Sequence, residues 1–120
     1  MLKKILIAVF MTTLFITQNV SAQDVLVYEA DGYSYYVVTE TFENKTVYRD
    51  NRAFEVAVKI FYLENLREEL PFNFWENDGI IWFNNGEGTG MHPVDGFKSA
   101  ENIWNFGLKF LNLDYEVSYK

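Results

Sequence analysis

Apolar and polar residues alternate with a period of two along residues 52–62. Phe54, Val56, Val58, Ile60 and Tyr62 fall on one side of an extended chain, and Ala53, Glu55, Ala57, Lys59 and Phe61 on the other. A strand with this much apolar surface on one side needs a covering layer. From Phe97 the spacing turns helical, and Ala100, Ile103, Trp104, Gly107, Leu108 and Leu111 form a stripe that Phe106, Phe110 and Leu113 widen. Asp95 or Ser99 is the expected N-cap and Asn112 the expected stop. A glycine inside a helix costs about 1 kcal/mol relative to alanine, so Gly107 implies close approach to the sheet.

The remaining segments read as strands and turns. Residues 24–29 predict a strand with Val25 and Val27 on one face and Leu26 and Tyr28 on the other, closed by a turn at Ala30-Asp31-Gly32. Residues 33–42, rich in Tyr, Val and Thr, predict its partner, with Tyr33, Tyr35 and Val37 sharing a face. A polar stretch, 43–51, predicts an exposed loop. Beyond a turn near Glu64-Asn65, Leu70, Phe72 and Phe74 alternate, and Pro71 between them predicts an edge or a bulge because it has no N–H to donate. Asp78-Gly79 predicts a tight hairpin to a short strand over 80–83, which brings Trp75 and Trp82 near each other. Residues 84–96 form a glycine-rich connection, and 115–120 alternate weakly, as a short terminal strand would. The expected fold class is α+β: an antiparallel β-meander of about five strands packed on one face by a C-terminal α-helix. A small barrel or sandwich plugged by the helix is the alternative.

The N-terminus has a different character. Lys3 and Lys4 precede an apolar run over 5–16, a polar step at Thr17-Gln18-Asn19, and small residues up to Ala22. The run is shorter than the roughly 20 residues that span a bilayer. Residues 1–22 therefore predict a cleavable export signal, and 23–120 a single small domain with no stable membrane anchor after cleavage. Removal of Lys3 and Lys4 takes the net charge from −7 to −9. An acidic domain repels phosphate backbones and anionic lipid, so nucleic acid is not expected as a partner; the charge is compatible with a cationic protein partner, and its simpler reading is that it keeps a small exported domain soluble. The chain has no cysteine, so neither a lipid anchor nor a disulfide is available and packing alone must hold the domain.

Catalytic chemistry has little to stand on. His92 is the single histidine, which excludes a multi-histidine metal site and leaves a base without an evident partner. Gly86-Glu87-Gly88-Thr89-Gly90 lacks the lysine and the strand–helix context of a phosphate loop. Glu76, Asp78, Glu87 and Asp95 match no calcium-loop spacing and read as solvated turn carboxylates. No cofactor is expected. The surplus of aromatic residues is more informative. If the helix covers one face, Tyr33, Tyr35, Phe61, Trp75 and Trp82 are the candidates for a binding surface on the other.

At residues 35–41, 54–59 and 103–106 the chain resembles small exported bacterial proteins of unassigned function, with a Tyr/Val/Thr-rich strand pair and an Ile-Trp-containing helix near the end. The resemblance implies export and one compact domain. The expectation is a periplasmic or secreted, non-catalytic binding domain of protein-interaction or inhibitor type. The alternatives are a carbohydrate or cell-wall-fragment binding module and, less favoured, a small hydrolase using His92 or paired carboxylates.

Overall fold

The computed structural model describes residues 24–86 and 90–118. The expected export signal over 1–22, Glu87, and the last two residues of the expected terminal strand lie outside the described residues. In chain order the elements are β1 (Asp24–Ala30), β2 (Tyr33–Val38), a 3-10 turn (Thr39–Thr41), β3 (Glu43–Asn44), β4 (Ala53–Tyr62), β5 (Asn65–Asn77), β6 (Ile80–Asn84), β7 (His92–Pro93) and α1 (Lys98–Phe110). All paired neighbours are antiparallel, in the order β1-β2-β4-β5-β6-β7, and β3 also pairs β4. The fold is thus the expected meander with a C-terminal helix, extended by two two-residue strands. The alternating strand β4 is central, with β2 and β3 along one side and β5 along the other.

Local chemistry accounts for the hairpins. Asp31 and Gly32 have φ of 54° and 85°, and Asp78 and Gly79 have 52° and 77°. Positive φ at both central residues matches the right-handed twist of the flanking strands. Trp75 and Trp82 are direct cross-strand partners across the second of these turns. The helix ends as Asn112 implied: its φ is 59°, and the N–H groups of Asn112 and Leu113 donate to the carbonyls of Lys109 and Leu108.

Four expectations are corrected. β2 stops at Val38 rather than running to 42, because the Thr41 hydroxyl donates to the Val38 carbonyl at 2.7 Å and accepts the Ala57 N–H at 2.9 Å. A register shift between Leu26 and Tyr28 leaves Val27 as a bulge, so Tyr28 joins the face of Val25. Asn102 Nδ2 holds the bulge by donating to the Val27 carbonyl at 2.9 Å. Neither Asp95 nor Ser99 caps the helix: the N-cap is Phe97, with no side-chain cap bond. Residues 115–118 form no strand.

The core lies between the sheet and α1. Phe54, Val56, Val58 and Ile60 of β4 are buried together with Phe72 and Phe74 of β5, Phe83 of β6, and Ala100, Ile103 and Trp104 of the helix. Trp104 stacks on Phe54 at 5.4 Å. A Cβ at Gly107 would overlap the Phe54 ring, with Cε1 at 2.6 Å. The glycine is therefore the point of close approach.

One polar constellation is buried within this core. Glu76, expected as a solvated turn carboxylate, is only 2% exposed. Its Oε1 accepts from Arg52 Nε at 2.8 Å and its Oε2 accepts from a terminal guanidinium nitrogen at 2.7 Å. The other guanidinium nitrogen donates to the carbonyls of Leu113 and Tyr115 at 2.8 and 3.2 Å. The ion pair thus pins the segment after the helix to the sheet, in place of the expected strand. Hydrogen bonding to Glu76 pushes the Arg52 pKa above its ordinary value, and burial opposes this.

Candidate functional site

β5 has 13 residues and α1 has 13. At about 3.3 Å per residue the strand runs some 43 Å, while at 1.5 Å per residue the helix runs only about 20 Å. The helix therefore cannot cover the whole face it packs on. Its Trp104 sits on Phe54 and Phe74 near one end. Toward the other end, Tyr33 and Tyr62 of the same face remain 42% and 36% exposed, with their rings 4.8 Å apart.

Between the helix start and this exposed end is a cleft of about 450 Å³, open to one side. Ile60, Leu70, Phe72 and Phe83 contribute from the sheet, and Phe97 and Ser99 from the start of the helix. Tyr35, Glu68, Asn85 and His92 supply polar atoms. Period two brings these groups together: Tyr35 faces Ile60, Ile60 faces Glu68, Phe74 faces Phe83, and Phe83 faces His92 across successive strands. Phe97 stands edge-on to Phe83 at 5.4 Å and lies 5.8 Å from the His92 ring.

The polar groups differ in what they have to bind. The Tyr35 hydroxyl is hydrogen-bonded to Ser99, and burial pushes its pKa above the ordinary 10.0, opposed by that bond and assisted by nearby Tyr28, Tyr33 and Glu68. Among the described residues Glu68 has no ion-pair partner, as holds for every carboxylate other than Asp24, Glu43, Glu55, Glu76 and Glu101. His92 touches Phe83 and Phe97 rather than a carboxylate. No group of three metal-ligating side chains occurs among the described residues.

The sequence-derived surface is divided between two faces. Tyr33 and Tyr35 lie on the helix-bearing face, because they pair with Tyr62 and Ile60. Phe61, Trp75 and Trp82 lie on the opposite face, and Phe61 is only 4% exposed, with the Tyr36 ring 5.5 Å away. The five residues thus do not form one platform. The cleft residues Glu68 and Phe97 were not singled out, although alternation through Glu68, Leu70 and Phe72 was available as a signal. No protein-family model matches the chain, and neither the curated proteins nor the solved structures contain a match to it.

Proposed function

We propose that this is an exported, non-catalytic protein-interaction domain that receives its partner on the uncovered half of its helix-bearing face. The cleft is the observation that carries the reading: about 450 Å³, within the roughly 300–1,000 Å³ of binding pockets, with an apolar floor and a few convergent polar groups. The adjoining Tyr33 and Tyr62 extend it with the residue type that interfaces favour. A chain net charge of −7 supports a cationic partner.

Affinity capture from the producer's envelope and medium tests the reading. The expected result is a stoichiometric protein retained at low salt, reduced at moderate salt, lost with Phe97→Ser and kept with Lys109→Ala on the exposed end of the helix. An empty capture, or one that Phe97→Ser leaves unchanged, would overturn it. The exposed Tyr33–Tyr62 pair favours glycan binding as a second reading, since adjacent, partly exposed rings that carry hydroxyls offer both a face and polar groups to a sugar. Cell-wall oligosaccharides that leave the Tyr33 and Tyr62 resonances unmoved would remove it.

A further inference from the structure

The cleft has a mixed chemistry that narrows its occupant. Its floor is apolar, formed by Leu70, Phe72 and Phe83, while the one formally charged lining residue among the described residues is Glu68 on the sheet side. No lysine or arginine among the described residues lines it. Lys98, beside Phe97 and Ser99 in sequence, is directed along the helix to Glu101 at 3.5 Å, and Arg67, beside Glu68, holds its guanidinium 5.9 Å from the Tyr62 ring centroid rather than on the carboxylate. Glu68 is in no salt bridge, so the cation-binding capacity of this carboxylate is not taken up by a basic side chain among the described residues.

A lone anion beyond an apolar floor disfavours an anionic ligand and leaves a purely apolar one unable to use the carboxylate. A long basic side chain matches both parts. Its methylene stem can lie on aromatic and aliphatic surface while the charged head stays at the rim. The rings of Tyr35 and Phe97 add faces that attract a cation.

We infer that the cleft is a receptor for a lysine or arginine side chain of the partner protein, with the stem over Leu70 and Phe97 and the cationic head at Glu68. The inference rests on the cleft being the interaction site and adds the chemistry of the group that enters it.

The test uses matched single-residue probes: N-acetyl-lysine methylamide, its arginine counterpart, and N-acetyl-norleucine methylamide, which keeps the stem and lacks the ammonium. Each is titrated into the protein at low salt while amide and aromatic resonances of the cleft residues are followed. The expected result is at least tenfold tighter binding of a basic probe than of norleucine, with shifts centred on Tyr35, Leu70 and Phe97. Glu68→Gln should erase that preference and leave the norleucine shifts in place, and added salt should weaken the basic probes alone. Equal binding of all three in the cleft would overturn the cationic assignment while leaving the interaction site intact. Shifts elsewhere, or none, would also overturn it, and the capture experiment then judges the interaction site separately.

Discussion

Gly107 lies against a ring that cannot move aside, since Phe54 is 1% exposed and packs between Phe74, Trp104 and Phe42. Alanine there would gain about 1 kcal/mol of helix propensity, but overpacking typically costs about 1–3 kcal/mol, and this overlap involves three ring atoms. Gly107→Ala should therefore lose up to about 2 kcal/mol in urea denaturation, a sign opposite to that of an exposed helical glycine. The Arg52–Glu76 pair makes a larger claim. Glu76→Gln leaves the guanidinium buried without its countercharge, a change worth about 3–5 kcal/mol, and the urea midpoint should fall accordingly. Tyr35 gives a pH signature: its folded pKa is raised above 10.0, so the folded state keeps a proton that the unfolded state releases. Its contribution is full below pH 10 and is lost as pH rises through the folded value. Tyr35→Phe should remove that part of the alkaline decline in stability. Of these four residues only Gly107 had its role legible in the sequence, because a glycine on a helical stripe has a local explanation. Arg52 and Glu76 are 24 residues apart, and nothing local distinguishes a carboxylate that will be paired in the core from one beside a turn.

The strand and helix elements were legible where backbone chemistry is local, as at Asp31-Gly32, Asp78-Gly79 and Asn112, whose positive φ suits their residue types. Face assignment was not: in β1 one unseen bulge at Val27 reverses parity, and in β2 only the cross-strand register, Tyr33 to Tyr62 and Tyr35 to Ile60, decides which side meets the helix. The helix start is the instructive element. Phe97 occupies the N-cap with φ −118° and ψ 90° and makes no side-chain cap bond, a position where serine, aspartate or asparagine would stabilise the helix by about 1 kcal/mol. The ring is 46% exposed, so what it buries is worth only about 1 kcal/mol in return. The two terms nearly cancel, which makes the choice of phenylalanine intelligible through the cleft it walls rather than through stability. Phe97→Ser should leave the thermal midpoint within a few degrees of wild type while removing the cleft's outer wall. A large drop in the midpoint would show the ring to be structural and would sink this account.

At the scale of the whole molecule, the site arises from a mismatch of lengths, a strand of about 43 Å beneath a helix of about 20 Å, and neither element announces it separately. The same mismatch leaves strand surface that must be kept from pairing with other copies. β6 accompanies β5 only over residues 73–77, so residues 65–72 have β4 on one side and no strand on the other among the described residues. In a two-residue hairpin the pair flanking the turn is hydrogen-bonded, and every second residue follows suit. Pro71, an even number of residues from Asn77, therefore turns its nitrogen toward the flank where β6 has ended and Gly86 lies against its ring, in keeping with Glu76 N–H donating the other way, to the Arg52 carbonyl. The flank is thus missing a donor where its shield thins to the segment at Gly86, and the bulge at Arg67 with Glu68 and Glu69 guards the stretch beyond it. At the far edge, the Val27 carbonyl is already taken by Asn102. Pro71→Val restores the donor and adds a strong strand former without altering the helix-bearing core. Its sedimentation coefficient should rise with concentration, most steeply at high salt where the repulsion between acidic copies is screened, while the wild-type protein stays monomeric. If Pro71→Val remains monomeric under both conditions, the proline does not guard this edge.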